Sequence, residues 1–428
     1  MLTKSYIYKE LNPLIMAHPL STSTIIDFLN HFNDVIKEEK PSDYWSNYLK
    51  TGSYLWLDTG DIDAARKIWS SDFSALTTNN TLLNNEIQKG AYDKIIPIIA
   101  SKISSLPDSE QVKEIAFCLN VIHGLRLVKI FKAQVSVELH TDLAHDITGI
   151  VETASRLHQC APHHFIIKVP YTASGLIAAR KLKSKGIPVN FTLDFSVRQN
   201  AFSSVIAQPK YTNVFMGRLG AYLKTNHLGE GKYIGEKVTL ETQHCLRTLN
   251  RKGLTQTHLI AASIRNSEQL VHLAGTDVFT IPVKVAEDAK YRDIKPKKSH
   301  INDIPELDLF DNENIKHLHL KKLWQVRNHE IETILHLHNK LPETGEELVE
   351  YAHEHGCRDI FPILTKKEHE TLKQDGKIPN HTKWENKIKA GEISIDTLLN
   401  LAGLYSFETD QQQLDHRIKS LLNIHVIE

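Results

Sequence analysis

A lysine stands in the middle of an apolar, strand-like run, FIIKVP at residues 165–170. Burying an ammonium group costs desolvation unless it loses its proton or finds counter-charge. Lys168 therefore either snorkels to water at a strand end or serves as a nucleophilic amine. Polar residues close other apolar runs: Asp58 in LWLDTG, Asn79 in TTNN, Glu138 in VSVELH, Asn190 and Thr192 in VNFTLDFS, Arg218 in FMGR and Arg265 in ASIRN. Singly, an Asp or Asn at such a place is commonly a cap or turn residue, and an Arg a surface ion pair. Together they describe a reaction. A neutral amine attacks a ketone, loses water through a carbinolamine and leaves a protonated imine, which makes the neighbouring C–C bond cleavable. Asp58 and Glu138 can move the protons. Arg218 and Arg265 can hold a phosphate away from the reacting carbons.

The elements that would carry these residues alternate. Apolar, β-rich runs at 54–58, 74–78, 135–139, 165–170, 188–193, 211–217, 257–263 and 278–283 are separated by helical patterns. Near-continuous apolar strands are those covered on both faces. Eight β/α repeats in this span predict a TIM (β/α)8 barrel over 51–295, whose active site lies at the C-terminal strand ends. One crossover holds two helices, at 91–104 and 109–131. Another helix starts at Ser174 and stops at Gly186, with these two as cap residues. Residues 1–50 read as helical. After KPKKSH (295–300), residues 296–428 read as a helical extension, with a capping box at TGEE (344–347), a stop at Gly356 and a last helix near 409–425.

Composition narrows the class. The 428 residues carry 51 Lys+Arg against 51 Asp+Glu, so no global field points to nucleic acid or an anionic membrane. Four scattered cysteines without a CxxC pair read as reduced thiols. Without a membrane-length apolar run or a secretory signal, the expected address is the cytoplasm.

The same residues resemble the transaldolases, over roughly Leu55 to Val283 and again weakly near the C-terminus. WLDTG matches a strand ending in D-T; TTNNTLL matches TTNPTL; VSVE is unchanged; IIKVPYTASGL matches IK-P-T-GL; VNFTLDFS matches VN-TL-FS; NVFMGR matches SPFVGR; AASIRN matches GASFRN. The resemblance implies that Lys168 forms the imine and that Asp58 takes the C4 hydroxyl proton as C3–C4 breaks. Glu138 and Thr192 would hold a proton-relaying water. Asn79 and Asn190 would bind the dihydroxyacetone hydroxyls, Arg218 and Arg265 the phosphate, and Phe215 would wall the pocket. The implied reaction moves a dihydroxyacetone unit from sedoheptulose 7-phosphate to glyceraldehyde 3-phosphate, a step of the non-oxidative pentose phosphate pathway. It needs neither metal nor organic cofactor, because the lysine supplies the electron sink.

Three residues depart from the family pattern. Asn80 replaces a proline, which frees the loop behind Asn79. Asn213 replaces a serine beside the donor site. Asp194 stands in a place usually apolar and is expected to face a helix or solvent. About 80 residues before the last helix are extra; their pairs His317/His319, His336/His338 and His353/His355 make poor shared metal sites on helices, and a solvated face or a subunit contact in a homo-oligomer accounts for them. Two other functions fit in outline: a fructose-6-phosphate aldolase, against which Glu138 and Phe215 stand where that group has glutamine and tyrosine, and a catalytically silent sugar-phosphate-binding barrel, against which Lys168, Asp58 and Glu138 survive together.

Overall fold

Eight parallel strands close on themselves in chain order in the computed structural model, which describes residues 20–307 and 317–424. They are β1 (Tyr54–Asp58), β2 (Phe73–Thr77), β3 (Gln134–Glu138), β4 (Phe165–Pro170), β5 (Val189–Thr192), β6 (Tyr211–Phe215), β7 (His258–Ala262) and β8 (Val278–Pro282). Closure is made by β1 on β8, with Asp58 opposite Pro282. The barrel expected from the sequence is the one found.

Alternation along each strand explains the misplaced lysine. On β4, Phe165, Ile167 and Val169 belong to the large core between sheet and helices. Ile166 instead joins Trp56, Ala75, Ile260, Ala262 and Val278 in a separate cluster that fills the barrel. A strand sends successive side chains to opposite faces, so Lys168 shares the interior face with Ile166. By the same count Asp58 stands one step beyond Trp56, Thr77 beyond Ala75 and Thr280 beyond Val278. The barrel has an apolar floor and, one layer nearer the strand ends, a polar one.

Several local expectations need correction. The helix after β4 is Ala173–Ser184, and its cap is Thr172, whose Oγ1 accepts from the Gly175 N–H at 2.8 Å, rather than Ser174. The 91–104 helix contracts to Ile96–Lys102, whereas the next spans Asp108–Phe131. Of residues 1–50, 1–19 lie outside the described residues; Thr22–Asp27 and Ser46–Leu49 are helical, but 32–42 are not. Asp194 lies just past β5, fully buried, where Thr212 bonds both it and Asn200 of the helix Val197–Phe202 at 2.8 Å. Burial pushes its carboxyl well above the usual range.

The helical chain after the barrel packs back onto it. Tyr44 and Tyr48 hydroxyls both donate to the Ile294 carbonyl. The helices Asn328–Asn339, Gly345–Glu354, Lys366–Asp375 and His381–Lys389 then lead to a helix that runs from Ile395 to Leu421, not from 409. The TGEE box forms as expected, Thr344 Oγ1 accepting from Glu347 N, and Gly356 follows that helix at φ +76°. His336 and His355 stack on Tyr351, His338 bonds the Val205 carbonyl and His353 that of Phe361. His317 and His319 belong to no group of metal-ligating residues among the described residues.

Arg198 ties this segment to the barrel. It has no exposure, and all five of its N–H groups are used. Nε and Nη2 reach both oxygens of Asp396 at 2.9 Å, Nη1 reaches Asp359 at 2.9 Å and Glu330 at 3.1 Å, and Nη2 also reaches Ser394. Lys322 and Arg327 complete the balance at Asp359 and Glu330. Although burial opposes ionisation, Arg198 and Lys322 hold Asp359 down at about 2. Its contribution is therefore complete above the ordinary aspartate pKa and is lost as pH falls through about 2. Removing one partner of such a network leaves buried charge unpaired, so Arg198→Met is expected to cost about 3–5 kcal/mol in urea unfolding and to open 317–424 to limited proteolysis. A loss confined to surface-pair size would mean that the network is not what holds the segment.

Candidate active site

The interior polar layer converges on a cleft of about 250 Å³ at the C-terminal strand ends. Lys168, only 4% exposed, donates from Nζ to the Thr78 carbonyl at 2.8 Å. Its register neighbours are Glu138 on β3 and Asn190 on β5, so carboxylate, amine and amide stand side by side. Asp58 is oriented by hydroxyls: Thr77 donates to Oδ1 at 2.7 Å, and Thr280 in turn lies 2.6 Å from Thr77.

Electrostatics set the two carboxylates apart from ordinary ones. Burial raises the Asp58 carboxyl, against the pull of Lys168, Thr77 and Arg265. Burial likewise raises Glu138, against Lys168 and the N–H of Asn80, which approaches Oε2 at 3.3 Å. A raised carboxylate is the stronger base near neutral pH.

The other end of the cleft is cationic. Burial, with Arg265 beside it, pushes the Arg218 guanidinium down to about 10. Its Nη1 has no hydrogen-bond partner among the described residues, and its plane lies 5.6 Å from the Phe215 ring and 5.9 Å from that of Phe407. Two glycines make room. A Cβ at Gly403 would lie 2.9 Å from Arg218 Nη1, and one at Gly217 would lie 2.5 Å from Arg265 Nε. Gly403 and Phe407 belong to the closing helix Ile395–Leu421. Asn400, on the same helix, donates to the Tyr171 and Leu193 carbonyls at the exits of β4 and β5.

Eight of the residues expected from the sequence line this cleft: Asp58, Asn79, Lys168, Asn190, Asn213, Phe215, Arg218 and Arg265. Glu138 and Thr192 stand behind its wall, Thr192 fully buried in register with Pro170. Asn79 caps the helix Asn80–Gln88 through Oδ1, so the replacement of proline by Asn80 leaves no loose loop. Asn213 is anchored by Nδ2 on the Phe191 carbonyl at 2.6 Å. Sequence reasoning missed Thr280, although it interrupts VFTIP as Lys168 interrupts FIIKVP. It also missed Ser263, which lines the cleft at φ +60°, and Lys377 and Phe407, which reach it from the distant C-terminal segment.

Residues 55–335 match the family described as Transaldolase/Fructose-6-phosphate aldolase, well over half of the chain. A transaldolase of Protochlamydia amoebophila (strain UWE25) is 28% identical over 240 residues, 54% of this chain and 73% of its own. One of Prochlorococcus marinus (strain MIT 9312) is 29% identical over 255 residues, 56% and 75%. A probable transaldolase of Dictyostelium discoideum is 28% identical over 295 residues, 66% and 89%.

The Asn80 contact can be isolated. Proline is accepted in the first helical turn, and the extended backbone of Asn79 suits a following proline. Asn80→Pro removes one donor to the ionised form of Glu138, so the carboxyl titration followed by 13C NMR is expected to move to higher pH. An unmoved titration would show that the 3.3 Å approach carries no charge stabilisation.

Proposed function

The chain belongs to the transaldolase/fructose-6-phosphate aldolase family, and from that premise we propose that it is a transaldolase working through a Schiff base on Lys168. The observation that carries the reading is a buried amine flanked in register by Glu138 and Asn190 and opening on the same cleft as Asp58, Arg218 and Arg265.

Lys168 attacks the C2 carbonyl of a ketose phosphate, and water leaves to give the protonated imine. Glu138 and Thr192, behind the wall, hold the water that relays protons in this step and in its reversal. Asp58, fixed by the Thr77–Thr280 hydroxyl chain, accepts the C4 hydroxyl proton as C3–C4 breaks. The aldose phosphate departs, and a dihydroxyacetone enamine stays on Lys168, held by Asn79, Asn190 and Asn213. An acceptor aldehyde reverses the sequence: the enamine forms the new bond, Asp58 returns the proton and water frees the amine. Arg218 and Arg265 bind the phosphate of donor and acceptor in turn, with Phe215 as a wall. The natural pair on this reading is sedoheptulose 7-phosphate and glyceraldehyde 3-phosphate, as in the non-oxidative pentose phosphate pathway. Among the described residues no helix is long and apolar enough to cross a membrane, and a cytoplasmic address suits these substrates.

Borohydride reduction with fructose 6-phosphate, followed by peptide mass mapping, tests the imine and the cleavage together. The expected product is a dihydroxyacetone-derived adduct on Lys168, absent in Lys168→Met; a folded wild-type protein that traps nothing would refute the Schiff-base reading. Asp58→Ala is expected to trap the intact sugar instead and to lose about 10²- to 10⁴-fold in turnover, the range of a removed general base. Loss of the adduct in Asp58→Ala would make that residue a support for Lys168 rather than the proton acceptor.

A further inference from the structure

One cation in the cleft has no role in the reaction as proposed. Lys377 lies in the turn between the helices Lys366–Asp375 and His381–Lys389, in the segment that follows the barrel, and it lines the same cleft as Arg218 and Arg265. Its neighbours are engaged elsewhere: Lys373 with Glu408 at 3.2 Å, Lys383 with Asp375 at 2.5 Å, Lys387 with Glu368 at 2.5 Å and Lys389 with Glu385 at 2.6 Å. Lys377 makes no ion pair or hydrogen bond among the described residues.

The turn that presents it is fixed, and fixed to the right place. Gly376 starts it at φ +71°, a conformation that glycine adopts without strain. Asn226 then clamps its far side, donating to the Pro379 carbonyl at 3.0 Å and accepting from the His381 N–H at 2.8 Å. Tyr222 adds a 2.9 Å bond to His381 Nδ1. Tyr222 lies on the helix Met216–Thr225 and Asn226 is its C-terminal cap residue; Arg218 is in that helix's first turn. The lysine and the guanidinium are thus carried on one docked unit.

Three cations at one end of a cleft repel one another unless an anion joins them. The nearby carboxylates do not fill that role. Asp58 and Glu138 act first on Lys168 and more weakly on Arg265 and Arg218, Asp410 acts on Arg218 while accepting from Thr81, and none of the three makes an ion pair with Arg218, Arg265 or Lys377 among the described residues. Arg218 Nη1 is buried without a hydrogen-bond partner among the described residues, and Lys377, itself exposed, adds a strongly hydrated point charge to the lining of the same pocket.

We propose that Lys377 is a third phosphate-binding residue, through which the segment after the barrel sets this chain's preference for phosphorylated over unphosphorylated aldehydes. The inference rests on the reaction proposed above, so its test has one arm that needs turnover and one that does not. In the first, Lys377→Met is compared with the wild type and with Lys366→Met, an exposed lysine of the same segment outside the cleft. With sedoheptulose 7-phosphate saturating as donor, KM for glyceraldehyde 3-phosphate is expected to rise about three- to fivefold in Lys377→Met, the scale of an exposed ion pair. The kcat and the values for unphosphorylated glyceraldehyde stay unchanged, and the difference narrows as salt is raised. Lys366→Met matches the wild type throughout. In the second arm, inorganic phosphate is titrated calorimetrically into the sugar-free proteins, and the same weakening is expected for Lys377→Met. An unchanged KM and phosphate affinity, or equal losses for both acceptors, overturns the assignment. A protein without turnover whose phosphate affinity still depends on Lys377 would refute the proposed reaction and keep the anion site.

Discussion

A buried lysine amine must have its polar head answered within a few ångströms, and this requirement organises the molecule around Lys168. Water cannot solvate it, so the Thr78 carbonyl, the carboxylates of Glu138 and Asp58 and the amide of Asn190 do so instead. Those groups come from four places in the sequence, and the closed parallel sheet brings them to one height. The same burial raises both carboxylates, Asp58 and Glu138, against the pull of Lys168. The apolar layer beneath, from Trp56 to Val278, pays nothing toward chemistry but keeps water from entering from below.

The anion end of the cleft obeys a different rule. Guanidinium groups must lie close to backbone and to each other without being covered, which glycine permits and other residues do not. Gly217 and Gly403 supply that space from opposite sides, one from the barrel and one from the closing helix. The barrel alone therefore makes the amine end, whereas the cationic end is shared with the C-terminal segment. The Arg198 network, with partners up to 198 residues away in sequence, fixes how those two parts meet.

What could be read from the sequence follows from the same division. Strand positions were legible because both faces of each strand are covered, so that a polar residue in an apolar run, such as Lys168 in FIIKVP, marks the interior face. Thr280 carried the identical signal, but a threonine is cheap to bury and does not stand out as a lysine does. The start of the closing helix was hidden for the opposite reason: Ile395 to Gly403 is buried on nearly every side, which erases the apolar stripe that announces a helix. Asp194, expected to face a helix or solvent, joins the following helix's hydrogen bonds, but its full burial was hidden because the hydroxyl that bonds it, Thr212, lies eighteen positions on. Arg198 was illegible because its role lies in partners that no local pattern predicts, and Lys377 because its place in the cleft depends on where a distant turn docks.

Synthesis runs from the N-terminus, and the closing helix follows all eight strands. A nascent chain can thus complete the barrel, with Lys168 already enclosed, while Gly403 and Phe407 have yet to emerge. At that stage Arg218 has only one wall, and Arg198 faces a vacancy where Asp396 will dock. An interrupted translation product would carry every strand of the barrel and yet leave the cationic end of its cleft open on the side that the last helix covers.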